Sequence, residues 1–485
     1  MKSLLIILSF LLSSFCLADP GPVQSLVRVN MTSQSYYFYQ PWEKQDPSTR
    51  RGLGAVIAGD KVLTGAKYLA NSTYIEIEHP VTGKKLPAKI EAIDYEANLA
   101  LLSPLEPMFP DREPLELDTD ASAGDTLEAW QVESNGTPLI IESKISRTQV
   151  GTTFLDDHEF LQYEVSGVMQ FRGGSVTVPM IRDGKLAGLL VSYDSKEQVS
   201  EVIAGPIIEH FLTDIADGEY EGFPSLGISV SQTLDDQFRK YLQLPENGGG
   251  IYVSEVKPGG TADQSGLKKG DVILSIDGNP IDARGYYTHP EFGKLEYLHL
   301  IRSKPFVGDN LKLGILRSGE NSDLIVTLDK QPASAELIDP YMFDRAPRYI
   351  VLGGLVFQEL TRTYLEMYGS DWKNRAPFKL SYADAYPSKY EKEGLDKLVF
   401  LSRVIPTKNN VGYEKLSHLI VKKVNGTKIT DIKDLDKALA EPLEGFHKIE
   451  FTEFPSVIYI DAEEAGKTNV QLKKDYGIHE LKQIE

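Results

Sequence analysis

Residues 266–281, "GLKKGDVILSIDGNPI", constrain the fold more than any other stretch of this chain. Two glycine turns bracket a short run of alternating apolar residues, and Asp277-Gly278 follows it directly. An Asp-Gly pair between two apolar segments is the signal of a two-residue hairpin turn, so a strand, a tight turn and a second strand must occur in that order. "SLGISV" lies about forty residues upstream, and the helical stretch "LDDQFRKYLQL" lies between them. A related run, "LIVKKVNGTKI", sits in the last third of the chain, with Asn425-Gly426 in place of the Asp-Gly pair. Two copies of one module are therefore expected.

Ahead of these modules, from about residue 25 to residue 212, the sequence reads as short strands separated by turn residues. That spacing predicts an all-β sandwich or barrel. A helix is predicted where "VSEVIAGPIIEHFLTDI" closes this block, and another over "KLEYLHLIRSK" in the first module. The 485 residues allow about three domains, each with a core of its own. A net charge of -19 and the lack of a Lys/Arg stripe exclude a nucleic-acid partner, which needs a basic face to displace counterions. Cys16 is the only cysteine and lies in "MKSLLIILSFLLSSFCLA", residues 1–18, which has the layout of a cleaved signal peptide. The mature chain then has no disulfide, no thiolate metal site, no cofactor motif and no membrane anchor, and a periplasmic or secreted location is expected.

The run at 266–281, with "SLGISV", resembles a PDZ domain of HtrA/Deg serine proteases. With it placed, the β block resembles the trypsin-like double barrel of that family, and the last block resembles the second PDZ-like domain of plant-type Deg proteases. The resemblance implies a multidomain chain: signal peptide 1–18, trypsin-like domain 19–215, PDZ domain 222–332 and PDZ-like domain 339–475. It implies a homo-oligomer built on trimers, for which the aromatic segment "YYFYQPW", residues 36–42, is either a contact surface or plain core.

The same resemblance locates the catalytic triad, and each position has changed. "LTGAKYL" puts Lys67 where the family has histidine, "DYEANLALL" puts Asn98 where it has aspartate, and "QFRGGS" puts Arg172 where it has serine. Gln170, Gly173 and Gly174 match the remnant of the oxyanion loop. A guanidinium offers no nucleophile, a charged ammonium accepts no proton, and a neutral amide cannot stabilise an imidazolium. A rescue by Ser175 with Lys67 is disfavoured because Ser175 stands three positions past the nucleophile turn, on the expected strand. His79 and His158 read as loop residues. Arg172 and Lys67 read as solvated cations, or else as a patch holding a peptide carboxylate.

The expected function is thus that of a pseudoprotease that binds peptides or unfolded proteins through the first PDZ domain in envelope protein quality control. The alternative is an active serine endopeptidase with a non-standard nucleophile. PDZ domains add a peptide as an extra strand to a sheet edge and hold its terminal carboxylate in a glycine loop. Here the matching loop is Ser225, Leu226, Gly227 and Ile228, the strand continues through Val230, and Leu298 and Ile301 are candidates for the side-chain pocket.

Overall fold

Twelve short strands fold into two closed six-stranded barrels in the computed structural model, which describes residues 21–155, 158–171, 177–246 and 248–485. The leader at 1–18 and Arg172, Gly173, Gly174 and Ser175 lie outside the described residues. The first barrel runs from Leu26–Ser33 to Leu99–Pro104 and the second from Thr126–Val132 to Val199–Ala204. Their apolar side chains point inward: Val27, Val29 and Leu102 are fully buried in the first barrel, and Leu127, Tyr163 and Val165 in the second. Between Pro179–Arg182 and Lys185–Asp194, Asp183 and Gly184 take φ of 50° and 75°, the paired left-handed geometry of a type I′ turn.

The helix predicted over "VSEVIAGPIIEHFLTDI" is half strand. Val199–Ala204 pairs with Lys185–Asp194 and Glu159–Ser166, and only Gly205–Asp214 is helical. β-branched Val199, Val202 and Ile203 suit a pleated surface, and Pro206 starts a helix well because its missing N–H is not needed there.

The repeat is realised as the same strand–turn–strand unit in both modules. Val272–Ile276 turns through Asp277-Gly278 into Asn279–Pro280, and Leu419–Val424 turns through Asn425-Gly426 into Thr427–Lys428. The first module has a six-stranded sheet with Ile228–Ser231 on its edge; the last has an eight-stranded sheet that takes in Lys482–Gln483. The stretch "KLEYLHLIRSK" is not one helix. Gly293–Glu296 pairs with Tyr286–His289 in a hairpin, and the helix is only His299–Arg302. This hairpin leans on strand Pro138–Thr152 of the second barrel, so barrel and module share one continuous apolar core.

The aromatic segment 36–42 packs within its own chain. Phe38 joins Leu337, Met342, Tyr364 and Phe400 in the core of the last module, and the Tyr39 ring meets Tyr364 edge-on at 5.8 Å. Among the described residues, no helix is long and apolar enough to cross a membrane.

Candidate functional site

Lys67 and Asn98 meet at the mouth between the barrels. Lys67 is exposed on the short helix Ala66–Leu69, with its Nζ 5.4 Å from the centre of the Phe154 ring. Asn98 is 8% exposed and sits in the left-handed region at φ 57°. Its Oδ1 accepts the backbone N–H of Lys67 at 2.8 Å, and its carbonyl accepts that of Ala66 at 3.3 Å. An amide oxygen serves this purpose as well as a carboxylate would, so asparagine at position 98 holds the loop without a charge. Gln170 is exposed, and its carbonyl accepts from Gln131 Nε2 at 2.9 Å. His79 and His158 both lie in loops, as expected, and each has an acidic partner: His79 Nε2 lies 3.0 Å from Asp111, and His158 Nδ1 lies 3.4 Å from Glu96.

The loop bearing Asn98 is anchored by a buried charge cluster that no triad alignment would find. Lys330, at the end of the first PDZ module, reaches Asp94 Oδ2 at 3.2 Å and Glu96 Oε2 at 3.5 Å. Tyr220 from the interdomain connector donates its hydroxyl to Asp94 at 2.6 Å. Burial pushes the Asp94 carboxyl up, but the Lys330 ammonium and the Tyr220 hydroxyl outweigh it and hold the group below the usual carboxylate range. Glu96 goes the other way, raised chiefly by burial. Asp94 and Glu96 both stand in "DYEANLALL", where their spacing alone does not distinguish them from solvated acids.

A cavity of about 490 Å³ gathers most of the residues expected to bind a peptide. Ser225, Leu226, Gly227 and Ile228 line one side, and Leu298 and Ile301 line the other. Gly227 takes φ 66°, and its N–H is held by Ser225 Oγ at 3.2 Å, which fixes the bend of the loop. Val230 is not among the lining residues; it packs, half-buried, on the shared core. Leu298 is the N-cap of the short helix and Ile301 lies within it, only 1% exposed. The connector and the last module close over the cavity: Glu336 and Ile338 come from the connector, Arg362, Pro387 and Glu391 from the last module. Glu336 forms an ion pair with Lys257 beside the loop. Among the described residues, no group of three or more His, Cys, Asp or Glu is arranged to hold a metal ion.

Two barrels followed by two modules with this groove define a trypsin-like fold carrying two PDZ domains, and two PDZ domain families match residues 224–328 and 338–482. The chain is 27% identical over 464 residues to the putative protease Do-like 3, mitochondrial, of Arabidopsis thaliana, covering 94% of this chain and 79% of that protein. It is also 27% identical over 470 residues to the protease Do-like 2, chloroplastic, of the same plant, covering 95% and 75%. Among solved structures, the HtrA-type protease AlgW with tripeptide matches with a TM-score of 0.49 at 18% identity, covering 64% of this chain and 95% of that one. The chain belongs to the HtrA/Deg family, homologous to the plant Deg proteases.

Proposed function

We propose that this chain is an exported pseudoprotease that binds peptides or unfolded proteins in the groove of the first PDZ domain and acts in envelope protein quality control. The observation that carries the loss of catalysis is Lys67 beside Asn98. The exposed cation lies against Phe154, and Asn98 is an uncharged amide whose oxygen is already engaged by a backbone N–H. With Arg172 at the serine position of the sequence, neither a proton acceptor nor a nucleophile stands in the frame that aligns them. Peptide capture is supported by the edge strand Ile228–Ser231, the bent loop at Gly227 and the apolar side chains of Leu298 and Ile301 around one cavity. The leader-like residues 1–18 support a periplasmic or secreted location, and assembly from trimers follows from the family likeness.

A second reading is favoured by the names of the relatives, which are proteases: an endopeptidase using a nucleophile outside the aligned triad. One assay separates the two. Purified protein is incubated with unfolded casein and with a fluorophosphonate probe. Intact casein and no labelled serine are expected; casein loss with a labelled serine would establish the protease instead.

A further inference from the structure

A second cavity, of about 450 Å³, opens on another face of the first PDZ domain, where it meets the second barrel. Helix Gly205–Asp214 forms one wall, the tip of the Tyr286–Glu296 hairpin a second, and the segment from His299 to Phe306 a third. None of the groups used above lies in it.

Its buried polar atoms have defined hydrogen-bonding roles. His210 is 4% exposed and lies flat between Phe223 and Phe306, with ring centres 4.5 and 4.1 Å away. Its Nε2 is 3.0 Å from the carbonyl of Pro305. A carbonyl only accepts, so Nε2 carries the proton and Nδ1 presents a lone pair. That Nδ1 and the Oγ of Ser303 have no hydrogen-bond partner among the described residues, and both side chains line the cavity. His289 is the same tautomer with its other nitrogen engaged: its Nδ1 accepts the N–H groups of Glu291 and Phe292, each at 3.2 Å, so its Nε2 carries the proton. The charged side chains, Glu209, Glu291 and Lys304, are exposed at the rim.

We propose that this cavity is a second peptide site, taking one secondary amide and the apolar or aromatic side chain beside it. The amide N–H satisfies His210 Nδ1, its carbonyl takes the proton of His289 Nε2 or of the Ser303 hydroxyl, and the side chain lies against Phe292 and Phe306. A secondary amide supplies one donor and one acceptor, the two roles that an unpartnered imidazole nitrogen and an imidazole N–H or hydroxyl call for. The neutral imidazoles offer no counter-charge to a buried ion. The volume falls within the roughly 300–1,000 Å³ of ligand pockets.

The test uses the full chain and saturation-transfer NMR with N-acetyl-phenylalanine methylamide as the probe. Transfer to the wild type is expected, and the same transfer to Leu298→Arg, which obstructs the PDZ groove. Two substitutions at exposed rim positions, Thr213→Trp and Glu209→Trp, each checked for folding by circular dichroism, are expected to abolish it. The ester analogue with oxygen in place of the acetyl-bearing N–H is expected to bind about fivefold or more weakly, the effect of leaving a buried acceptor unpaired. Absence of transfer to the wild type, transfer unchanged by both rim tryptophans, transfer abolished by Leu298→Arg, or equal binding of the ester would each overturn the site. Failure of the PDZ groove to bind peptide leaves these outcomes unaffected, so the two readings stand or fall separately.

Discussion

Asn98 holds its loop by geometry and not by charge. It occupies φ 57°, where asparagine is among the few side chains tolerated, and its Oδ1 holds the Lys67 N–H at 2.8 Å. Asn98→Ala removes that acceptor and leaves the strained backbone without local compensation, so the barrel should lose about 2 kcal/mol. A fall in the denaturant midpoint of the protease-like domain would show it. Asn98→Asp retains an acceptor at the same place, and it should keep the barrel folded without releasing casein fragments, because no imidazole or hydroxyl completes the chain of proton transfer. Casein cleavage by Asn98→Asp alone would mean that Lys67 or another group already acts as base. The juxtaposition of Lys67 and Asn98 was legible in the sequence, because the motifs around them resemble those that bring two triad positions together in the HtrA/Deg family. The pairing of His158 with Glu96 was not, since it joins residues about sixty positions apart across the two barrels.

The hairpin Tyr286–Glu296 marks where local pattern and tertiary packing part. Leu295, Leu298 and Ile301 recur at three-residue intervals, which reads as one helix face. The chain instead pairs Leu295 with Tyr287 across the hairpin and buries both, so packing on the second barrel decides the outcome. The Asp-Gly and Asn-Gly turns were legible because their backbone geometry is written in two adjacent residues. The hairpin and the short helix after it bring His289 and His299 to the seam where His210 lies. Burial lowers all three from the usual histidine value, His299 to about 3. Glu209, Glu291 and Lys304 at the rim are the charged groups lining this cavity, and Asp214 and Asp309 act on His210 from farther off. Undocked, each imidazole would titrate near 6.5, so the undocked state binds more protons below that pH. Docking is therefore complete above about pH 6.5 and weakens as the pH falls, by up to about 1.4 kcal/mol per pH unit for each histidine. The first thermal transition should drop between pH 7.5 and 5, and the drop should shrink in a His289→Gln, His299→Gln double variant. An unchanged slope in that variant would remove the histidines as the cause.

Across the whole molecule, charge pairs hold the first PDZ domain in register with the mouth between the barrels. Lys330 belongs to the first PDZ module but neutralises Asp94 and Glu96 on the loop that ends at Asn98. Lys330→Met strands a carboxylate whose side chain is 2% exposed, and breaking such a pair should cost about 3 kcal/mol or more. The double variant Lys330→Met, Asp94→Asn should recover part of that loss in the same unfolding curve. Domain order was legible in the sequence, whereas this lock and the closure over the groove were not, because each is made by residues from separate domains. The closure has its own consequence. Glu336 pairs with Lys257, and Pro387 and Glu391 of the last module lie over the cavity whose floor holds Leu226 and Ile301. A peptide that adds to strand Ile228–Ser231 must displace this cover, so its apparent affinity is the intrinsic affinity reduced by the fraction of open molecules. Glu336→Lys replaces the attraction to Lys257 with repulsion and raises that fraction. A fluorescein-labelled peptide with an apolar C-terminal residue should then bind about tenfold more tightly by anisotropy if a tenth of the wild-type molecules are open. The gain should appear mainly in the association rate, since the contacts in the filled groove are unchanged. A wild-type association rate equal to that of Glu336→Lys would mean that the cover does not limit entry.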